Sequence, residues 1–265
     1  MNKLMHGDCI ELMKCVPDES VDMVLCDLPY GVLNKGNRHA AWDCQLPMDQ
    51  LWNGWLRICR PNAAIILFAQ GMFTAKLMLS MQKLWRYNLV WKKGGRITGF
   101  LNANRMPCRN HEDIVVFYSK QPVYNPQFTY SKKTHSCGFG EHKNTNRCYG
   151  SFKRNQGAVT NRHYPLSVIN INKEHKGFYH PTQKPVALLA YLIRTYTNEG
   201  ATVLDCCMGS GSTGVACVET GRNFIGIEKD AHYFDVATIR MDKAMRKGVQ
   251  LTFNFNSHEN GRLAR

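Results

Sequence analysis

The sequence has 265 residues, of which 44% are hydrophobic, so it can form one large α/β domain with or without an insert and is neither collagen-like nor disordered. Its formal net charge of +14 indicates either a solvated basic surface or a polyanionic partner. The longest apolar run, residues 63–69, is too short to cross a bilayer, and residues 1–14 contain no apolar signal core, so we expect a cytoplasmic protein without a membrane partner.

The N-terminal part of the chain predicts strands that alternate with a helix. Apolar runs at residues 21–27 and 62–69 predict two strands. Between them, at residues 48–59, apolar side chains recur at helical spacing, which we interpret as a helix packed on the core. Two further apolar runs, at residues 87–91 and 112–118, predict additional strands.

The C-terminal part of the chain repeats this alternation. The predicted elements are a helix at 186–197, a strand at 202–207, a short helix near 212–220, a strand at 223–228 and a last helix at 231–247. Alternating strands and helices predict an α/β fold with a doubly wound, mostly parallel sheet and helices on both faces.

The middle of the chain differs from both flanks. Between residues 120 and 178 the alternation stops, and ten Lys or Arg residues stand against only Glu141 and Glu174. That excess of eight is more than half of the net charge of +14, and clustered positive charge favours a nucleic-acid partner. We therefore expect residues 1–119 and 179–265 to form one domain, with residues 120–178 as an insert.

The eleven cysteines are scattered, with no C-x-x-C pair. This pattern indicates reduced intracellular thiols that act mostly as small buried hydrophobic side chains. Cys137 and Cys148 lie near His135 and His142, but their spacing is not that of paired zinc ligands. We therefore predict no metal site.

A glycine-rich segment follows the predicted strand at 202–207. Gly209, Gly211 and Gly214 form a G-x-G-x-x-G pattern, which is weak by itself because glycine turns follow strands in many folds. Glu228, at the end of the next predicted strand, can accept hydrogen bonds from both hydroxyls of a ribose. Together these features predict a ligand that contains a nucleoside.

Asp205, just before the glycines, discriminates between two such ligands. Its carboxylate would repel the pyrophosphate of NAD, which disfavours a dehydrogenase. S-adenosylmethionine instead combines an adenosine ribose with a cationic amine and carries no phosphate. Only about 50 residues follow the glycines, so the other strands of the sheet must come from the N-terminal half.

A second carboxylate ends the predicted strand at 21–27. Asp27 is followed by Leu28, Pro29 and Tyr30 in the segment CDLPYG. A strand that ends inside a core should end in residues that the core can bury, so Asp27 and Tyr30 indicate contact with a ligand. By itself the tetrapeptide is equally consistent with an ordinary Asp-Pro turn.

Six segments, taken in order, resemble the DNA amino-methyltransferases, which methylate exocyclic amines of adenine or cytosine. The order is similar to the β arrangement of that family, with a D-P-P-Y-type motif first and the glycine loop last. The chain departs from the family pattern at Leu28, which replaces a proline, and at Cys206 and Cys207, which replace Pro-Phe. The six segments are residues 6–13, 26–31, 105–118, 180–189, 203–214 and 222–228.

The resemblance implies a role for each residue of the tetrapeptide. The Asp27 carboxylate and the Leu28 carbonyl would accept hydrogen bonds from the target amine, Pro29 would stiffen the turn, and Tyr30 would stack on a flipped-out base. The substrate would be double-stranded DNA, with N6 of adenine favoured because an opening aspartate is more typical of adenine enzymes. An N4-cytosine methyltransferase and a non-catalytic nucleic-acid-binding protein with a degenerate methylase fold remain alternatives.

The resemblance also implies S-adenosylmethionine as cofactor. Glu228 would bind its ribose and Asp205 would lie near its amine, while Gly209 and Gly211 would allow close approach of the backbone. The remaining contacts implied are Asp8 and Cys9 near the adenine and Thr182 and Lys184 near the carboxylate.

By the same resemblance, residues 1–119 form the catalytic half and residues 179–265 the cofactor-binding half of one domain. Residues 120–178 would choose the DNA sequence, and their phosphate contacts would come from Lys132, Lys133, Lys153 and Arg154. Such enzymes are encoded by bacteria and phages. The sequence leaves open whether the protein forms a homodimer and whether it has a cognate restriction endonuclease.

Overall fold

The computed structural model of the chain describes residues 2–32, 43–95, 97–135, 160–173 and 179–260, without the side chains of 135 and 248–260. Seven residues named above lie outside the described residues. They are Cys137, Glu141, His142, Cys148, Lys153, Arg154 and Glu174.

The described residues form ten strands, six α-helices and one 3-10 helix at Phe100–Asn102. The strands are β1 (Asn2–His6), β2 (Val21–Cys26), β3 (Cys59–Ala69), β4 (Trp85–Lys92), β5 (His111–Phe117), β6 (Thr129–His135), β7 (Thr160–His163), β8 (Val168–Asn170), β9 (Thr202–Asp205) and β10 (Asn223–Glu228). The helices are α1 (Cys9–Met13), α2 (Met48–Ile58), α3 (Met72–Ser80), α4 (Val186–Tyr196), α5 (Ser212–Glu219) and α6 (Ala231–Asn260).

Eight of these strands form one sheet in the order β1-β10-β9-β2-β3-β5-β4-β8. All neighbours are parallel except β5, which is antiparallel to both β3 and β4. The N-terminal and C-terminal parts of the chain meet at two strand pairs, β1 with β10 and β2 with β9, where Met23 pairs with Val203. The predicted α/β class with a mostly parallel sheet is confirmed.

Strand β2 shows why the central strands are continuous apolar runs. Val24 and Cys26 belong to the core on one face of the sheet, and Met23 and Leu25 belong to the core on the other. Successive side chains of a strand point to opposite faces, so a strand covered on both faces must be apolar throughout. Each of these four side chains is at most 1% exposed.

Helix α2 packs against the core that contains Val24. Its predicted apolar stripe is buried except for Leu56, which is 47% exposed, and Trp52 and Trp55 are in edge-to-face contact at 5.1 Å between ring centroids. Trp52 also packs edge-on against Phe117 of β5, at 5.0 Å between ring centroids. The helical spacing noted in the sequence therefore serves core packing.

Within the described residues the chain forms two compact units. One contains the eight-stranded sheet and comprises the residues up to Asn125 and from Ser167 onward. The other lies between Pro126 and Leu166 and contains β6 and β7, which pair antiparallel. In this second unit Phe128 packs edge-on against Tyr164, at 4.9 Å between ring centroids.

Six of the strands and α-helices were not predicted from the sequence: β1, α1, α3, β6, β7 and β8. β8 follows the second unit and pairs with β4 in the main sheet, so the second unit is shorter than the expected insert at 120–178. Helix α6 also extends beyond its predicted end at residue 247. Among the described helices none is both long and apolar enough to span a lipid bilayer.

Candidate active site

A cavity of about 1200 Å³ lies at the carboxyl ends of the parallel strands. The sheet order reverses between β9 and β2, and such switch points are where open α/β sheets bind ligands. The cavity is lined by every site residue that the sequence predicted except Gly211. These residues are Asp8, Cys9, Asp27, Leu28, Pro29, Tyr30, Thr182, Lys184, Asp205, Gly209 and Glu228.

Asp27 directly follows β2 and points its carboxylate toward two donors. The Tyr30 hydroxyl donates to its Oδ1 at 2.9 Å, and the Lys184 ammonium donates to its Oδ2. Each carboxylate oxygen can accept more than one hydrogen bond, so both keep capacity for a further donor. The Tyr30 ring also packs on Phe73, at 4.9 Å between ring centroids, which fixes the orientation of the ring.

Lys184 links Asp27 to a second buried carboxylate. Its Nζ lies 3.3 Å from Glu112, which in turn pairs with Lys93 at 2.5 Å. Burial raises the pKa of Asp27, and the Lys184 ammonium opposes that rise. Burial alone would lower the pKa of Lys184, but the charges of Asp27 and Glu112 raise it above its usual value. Lys184 therefore remains a cation beside Asp27.

The position of Lys184 differs from the expectation that it meets the carboxylate end of a cofactor. Its ammonium is turned to Asp27 and Glu112 because a buried cation needs carboxylate partners within contact distance. Thr182, two residues earlier, remains at the cavity wall, where its hydroxyl lies 3.0 Å from Nδ1 of His180.

Glu112 and Lys93 were missed by the sequence analysis. Glu112 is the second residue of β5, and β5 runs antiparallel to the central strands. The start of an antiparallel strand lies at the same edge as the ends of its parallel neighbours, so Glu112 faces the cavity. The available signal in the sequence was an acidic residue at the start of an apolar run. Its interpretation as a cavity residue requires knowledge of the strand direction.

Asp205 ends β9, next to β2 in the sheet. Its Oδ2 accepts a hydrogen bond from the Thr213 hydroxyl at 2.6 Å and its Oδ1 accepts one from the backbone N–H of Cys207 at 3.1 Å. Burial raises the pKa of Asp205 to about 6, against the effect of these hydrogen bonds. Thr213 orients this carboxylate and was not singled out in the sequence.

Glu228 ends β10 and is held by the backbone around it. Its two carboxylate oxygens accept from the N–H groups of Gly209 and Asp230, both at 2.8 Å. Gly209 has φ +51°, a backbone conformation that suits glycine. The turn at Gly209 therefore brings the glycine-rich loop into contact with the Glu228 carboxylate.

Gly211 has a different role from the one expected. It has φ +76° and precedes helix α5, but it does not line the cavity. A Cβ atom at this position would lie 2.9 Å from the Cβ atom of Ala237 in helix α6. Gly211 thus allows α6 to pack closely against the start of α5.

Asp8 and Cys9 lie at the start of helix α1. Asp8 caps the helix by accepting from the N–H of Ile10 at 3.0 Å, and Lys229 lies 3.3 Å from its other oxygen. Cys9 is 6% exposed and lies beside Cys206 and Cys207. The two residues thus form the wall of the cavity next to β10.

The chain matches the family model described as DNA methylase over residues 21–239. Two curated relatives are similar over 91% of this chain. The type II methyltransferase M.HinfI of Haemophilus influenzae is 27% identical over 262 residues, which cover 68% of its length. The type II methyltransferase M.HpaI of Haemophilus parainfluenzae is 28% identical over 251 residues, which cover 74% of its length.

Solved structures share the fold. The crystal structure of the M1.HpyAVI–SAM complex has a TM-score of 0.60 at 22% identity and covers 91% of this chain and 99% of its own. The PvuII DNA methyltransferase, described as cytosine-N4-specific, has a TM-score of 0.66 at 14% identity and covers 94% of this chain and 93% of its own. Because the family model spans most of the sequence, the chain belongs to the N6/N4 DNA methylase family and is a DNA methyltransferase.

Proposed function

We propose that the protein transfers a methyl group from S-adenosylmethionine to N6 of an adenine flipped out of double-stranded DNA. The observation that carries this proposal is the placement of Asp27 and Tyr30 in one cavity with Asp205 and Glu228. Asp27 can accept a hydrogen bond from a target amine. Asp205 and Glu228 suit a nucleoside that carries an amino acid, and all three carboxylates line the same cavity.

The chemistry of the lining fits this cofactor. Asp8, Asp205 and Glu228 make the β9–β10 side of the cavity acidic, which suits a cationic amine and ribose hydroxyls and disfavours a pyrophosphate. Glu228 would hold the ribose, Asp205 the amine, and Asp8 with Cys9 the adenine. S-adenosylmethionine, when bound, supplies an electrophilic sulfonium methyl group. M1.HpyAVI and TTHA0409 of Thermus thermophilus, which share the fold, have been solved with this molecule.

The target amine would be held by Asp27 and by the carbonyl of Leu28. The lone pair of an exocyclic amine is delocalised into the base, so the nitrogen is a poor nucleophile. Acceptors against its two N–H groups hold the nitrogen closer to tetrahedral geometry and free the lone pair. The Leu28 side chain is 3% exposed, which anchors the backbone that carries this carbonyl.

The ion pairs around Asp27 would set its charge state. Lys184 favours the ionised carboxylate, which accepts hydrogen bonds from the amine most strongly. Burial, which raises the pKa of Asp27, also makes this carboxylate able to take up the proton that the methylated amine gives up. Asp27 would therefore act first as acceptor and then as base.

The target base must leave the duplex to reach Asp27, which costs a few kcal/mol. Stacking on Tyr30 would offset about 1–3 kcal/mol of this. The unit between Pro126 and Leu166 would contact the DNA backbone and choose its sequence. Lys132 and Lys133 are exposed on β6, and the described residues of this unit include no Asp or Glu.

Adenine is favoured over cytosine because the motif opens with aspartate and because a carboxylate acceptor suits the weakly nucleophilic amine of adenine. The test is nucleoside analysis. Methylation-free genomic DNA is incubated with the protein and S-adenosylmethionine carrying a deuterated methyl group, digested to nucleosides, and examined by mass spectrometry. We expect labelled N6-methyladenine. Labelled N4-methylcytosine alone would overturn the choice of base, and absence of any labelled nucleoside would contradict methyl transfer to DNA.

A further inference from the structure

Four thiols converge beside the cavity, although they come from three separate segments of the chain. Cys9 opens helix α1, Cys26 ends β2, and Cys206 and Cys207 follow β9. The sulfur atoms of Cys9, Cys206 and Cys207 all lie within 4.8 Å of one another. The Cys26 sulfur lies 3.6 Å from that of Cys206.

These distances are close to those of a metal–thiolate centre. A tetrahedral zinc ion with Zn–S bonds of about 2.3 Å places its sulfur ligands about 3.8 Å apart. The 3.6 Å separation of Cys26 and Cys206 matches that spacing, and the separations among Cys9, Cys206 and Cys207 would each have to close by about 1 Å at most. Cys26 lies outside that group of three and adjoins it through Cys206. A tetrahedral site made of four sulfur ligands selects soft or borderline cations.

The cluster is also open to solvent on one side. Cys9, Cys206 and Cys207 line the cavity, and Cys207 is half-buried, so an ion can enter from the cavity. Cys26 lies beneath them and is 1% exposed. Ligand identity, ligand number, spacing and an entry path are the features that a metal site requires.

We propose that Cys9, Cys26, Cys206 and Cys207 form a binding site for one thiophilic metal ion of the Zn²⁺ class. Binding joins four thiolates to the ion and releases their protons, with no change of oxidation state. The ion would connect the carboxyl ends of β2 and β9, which carry Asp27 and Asp205, to the start of α1. This proposal concerns the thiols alone and does not depend on the base that the enzyme methylates.

Cobalt serves as the probe, because a thiolate-bound Co²⁺ ion gives a sulfur-to-metal charge-transfer band that nitrogen or oxygen ligands do not produce. The full chain, freed of metal under a non-thiol reductant, is titrated with Co²⁺ and then with Zn²⁺. We expect the band to saturate at one Co²⁺ per chain and to be removed by one equivalent of Zn²⁺. Because the ion binds the folded chain, Zn²⁺ should also raise the Tm.

Two variants locate the site. C206A/C207A removes two of the four sulfurs and should lose the band, whereas C59A/C217A, which removes two buried thiols elsewhere, should keep it. If circular dichroism shows that C206A/C207A does not fold, Cys207→Phe is tested in its place. This variant restores the aromatic residue usual in the family and should weaken Co²⁺ binding at least tenfold. Absence of the band in the unaltered chain, or an undiminished band in the folded cluster variant, would overturn the proposal.

Discussion

The Lys184 ammonium and the Asp27 carboxylate form an ion pair whose side chains are 8% and 22% exposed. The pair connects the loop before α4 with the end of β2, although 157 residues separate the two partners in the chain. Removal of one member of a buried pair leaves the other charge without compensation. Lys184 is therefore a positioning residue for Asp27, and its effect on the charge of Asp27 can be measured.

Lys184→Met should move the acid limb of the pH–rate profile to higher pH. The ammonium lowers the pKa of Asp27, so its loss lets burial and Glu112 raise that pKa further. If ionised Asp27 is required, activity is lost as the pH falls through this pKa, and the limb moves upward by about one pH unit or more. Single-turnover methyl transfer measured between pH 5 and 9 would show it.

Two controls accompany the Lys184 variant. Lys184→Arg keeps the charge and should keep the limb near its original position, and Lys3→Met, on the exposed side of β1, should change nothing. A limb at the same pH in Lys184→Met and the unaltered enzyme would show that Lys184 does not control Asp27.

Binding of S-adenosylmethionine should weaken as the pH falls through about 6. Burial raises the pKa of Asp205 to about 6, and a protonated Asp205 no longer attracts a cationic amine. Asp205→Asn should weaken binding about tenfold or more at pH 7.5 and remove this pH dependence. Calorimetry measures both effects, with Asp242→Asn on the exposed face of α6 as control. Undiminished affinity in Asp205→Asn would exclude an ionic contact with the amine.

Gly211→Ala should destabilise the fold more than Gly200→Ala. Both glycines have similar positive φ, +76° and +79°, so both substitutions carry the left-handed backbone penalty of about 1–2 kcal/mol. Only a Cβ at Gly211 meets another helix, at 2.9 Å from the Cβ of Ala237, whereas a Cβ at Gly200 has no neighbour within 4 Å. Overpacking in Gly211→Ala should lower the free energy of unfolding, measured in urea, by about 1–3 kcal/mol more than in Gly200→Ala. Equal losses of unfolding free energy in the two variants would show that α6 shifts to accommodate the added Cβ atom at no cost.

Much of this site could be predicted from the sequence because its residues follow apolar strands. Asp27, Asp205 and Glu228 each stand at the end of such a run, and the carboxyl ends of parallel strands share one edge of the sheet. The order of the segments also indicated that N-terminal strands complete the C-terminal half, and β2 does pair with β9.

Other features depend on contacts between distant residues and could not be predicted. The side chain of Glu112 faces the cavity only because β5 runs antiparallel to its neighbours. β1 and β8 lie at the two edges of the sheet, and each buries a single apolar side chain, so neither gives a strand signal in the sequence. The meeting of Cys26 with Cys206 likewise follows from the pairing of β2 with β9.

Lys132→Gln combined with Lys133→Gln should reduce the salt dependence of DNA binding. Each phosphate contact releases counterions, so two lost contacts lower the slope of log K against log salt by about two. Binding to the cognate duplex and to an unrelated duplex should weaken equally, because phosphate contacts carry no sequence information. The control is Lys3→Gln with Lys14→Gln, two exposed lysines of the other unit. An unchanged slope would place the DNA contacts elsewhere.

The central claim is that Asp27 acts on the target amine and not on the cofactor. The most direct test is single-turnover methyl transfer by Asp27→Ala, with S-adenosylmethionine affinity measured on the same preparation. Asp22→Ala is the matched control, because Asp22 lies at the opposite end of β2 and accepts a hydrogen bond from Thr202. We predict a loss of about 10³-fold or more in Asp27→Ala with unchanged cofactor affinity, and near-normal transfer in Asp22→Ala. Transfer by Asp27→Ala within about tenfold of the unaltered rate would contradict the account.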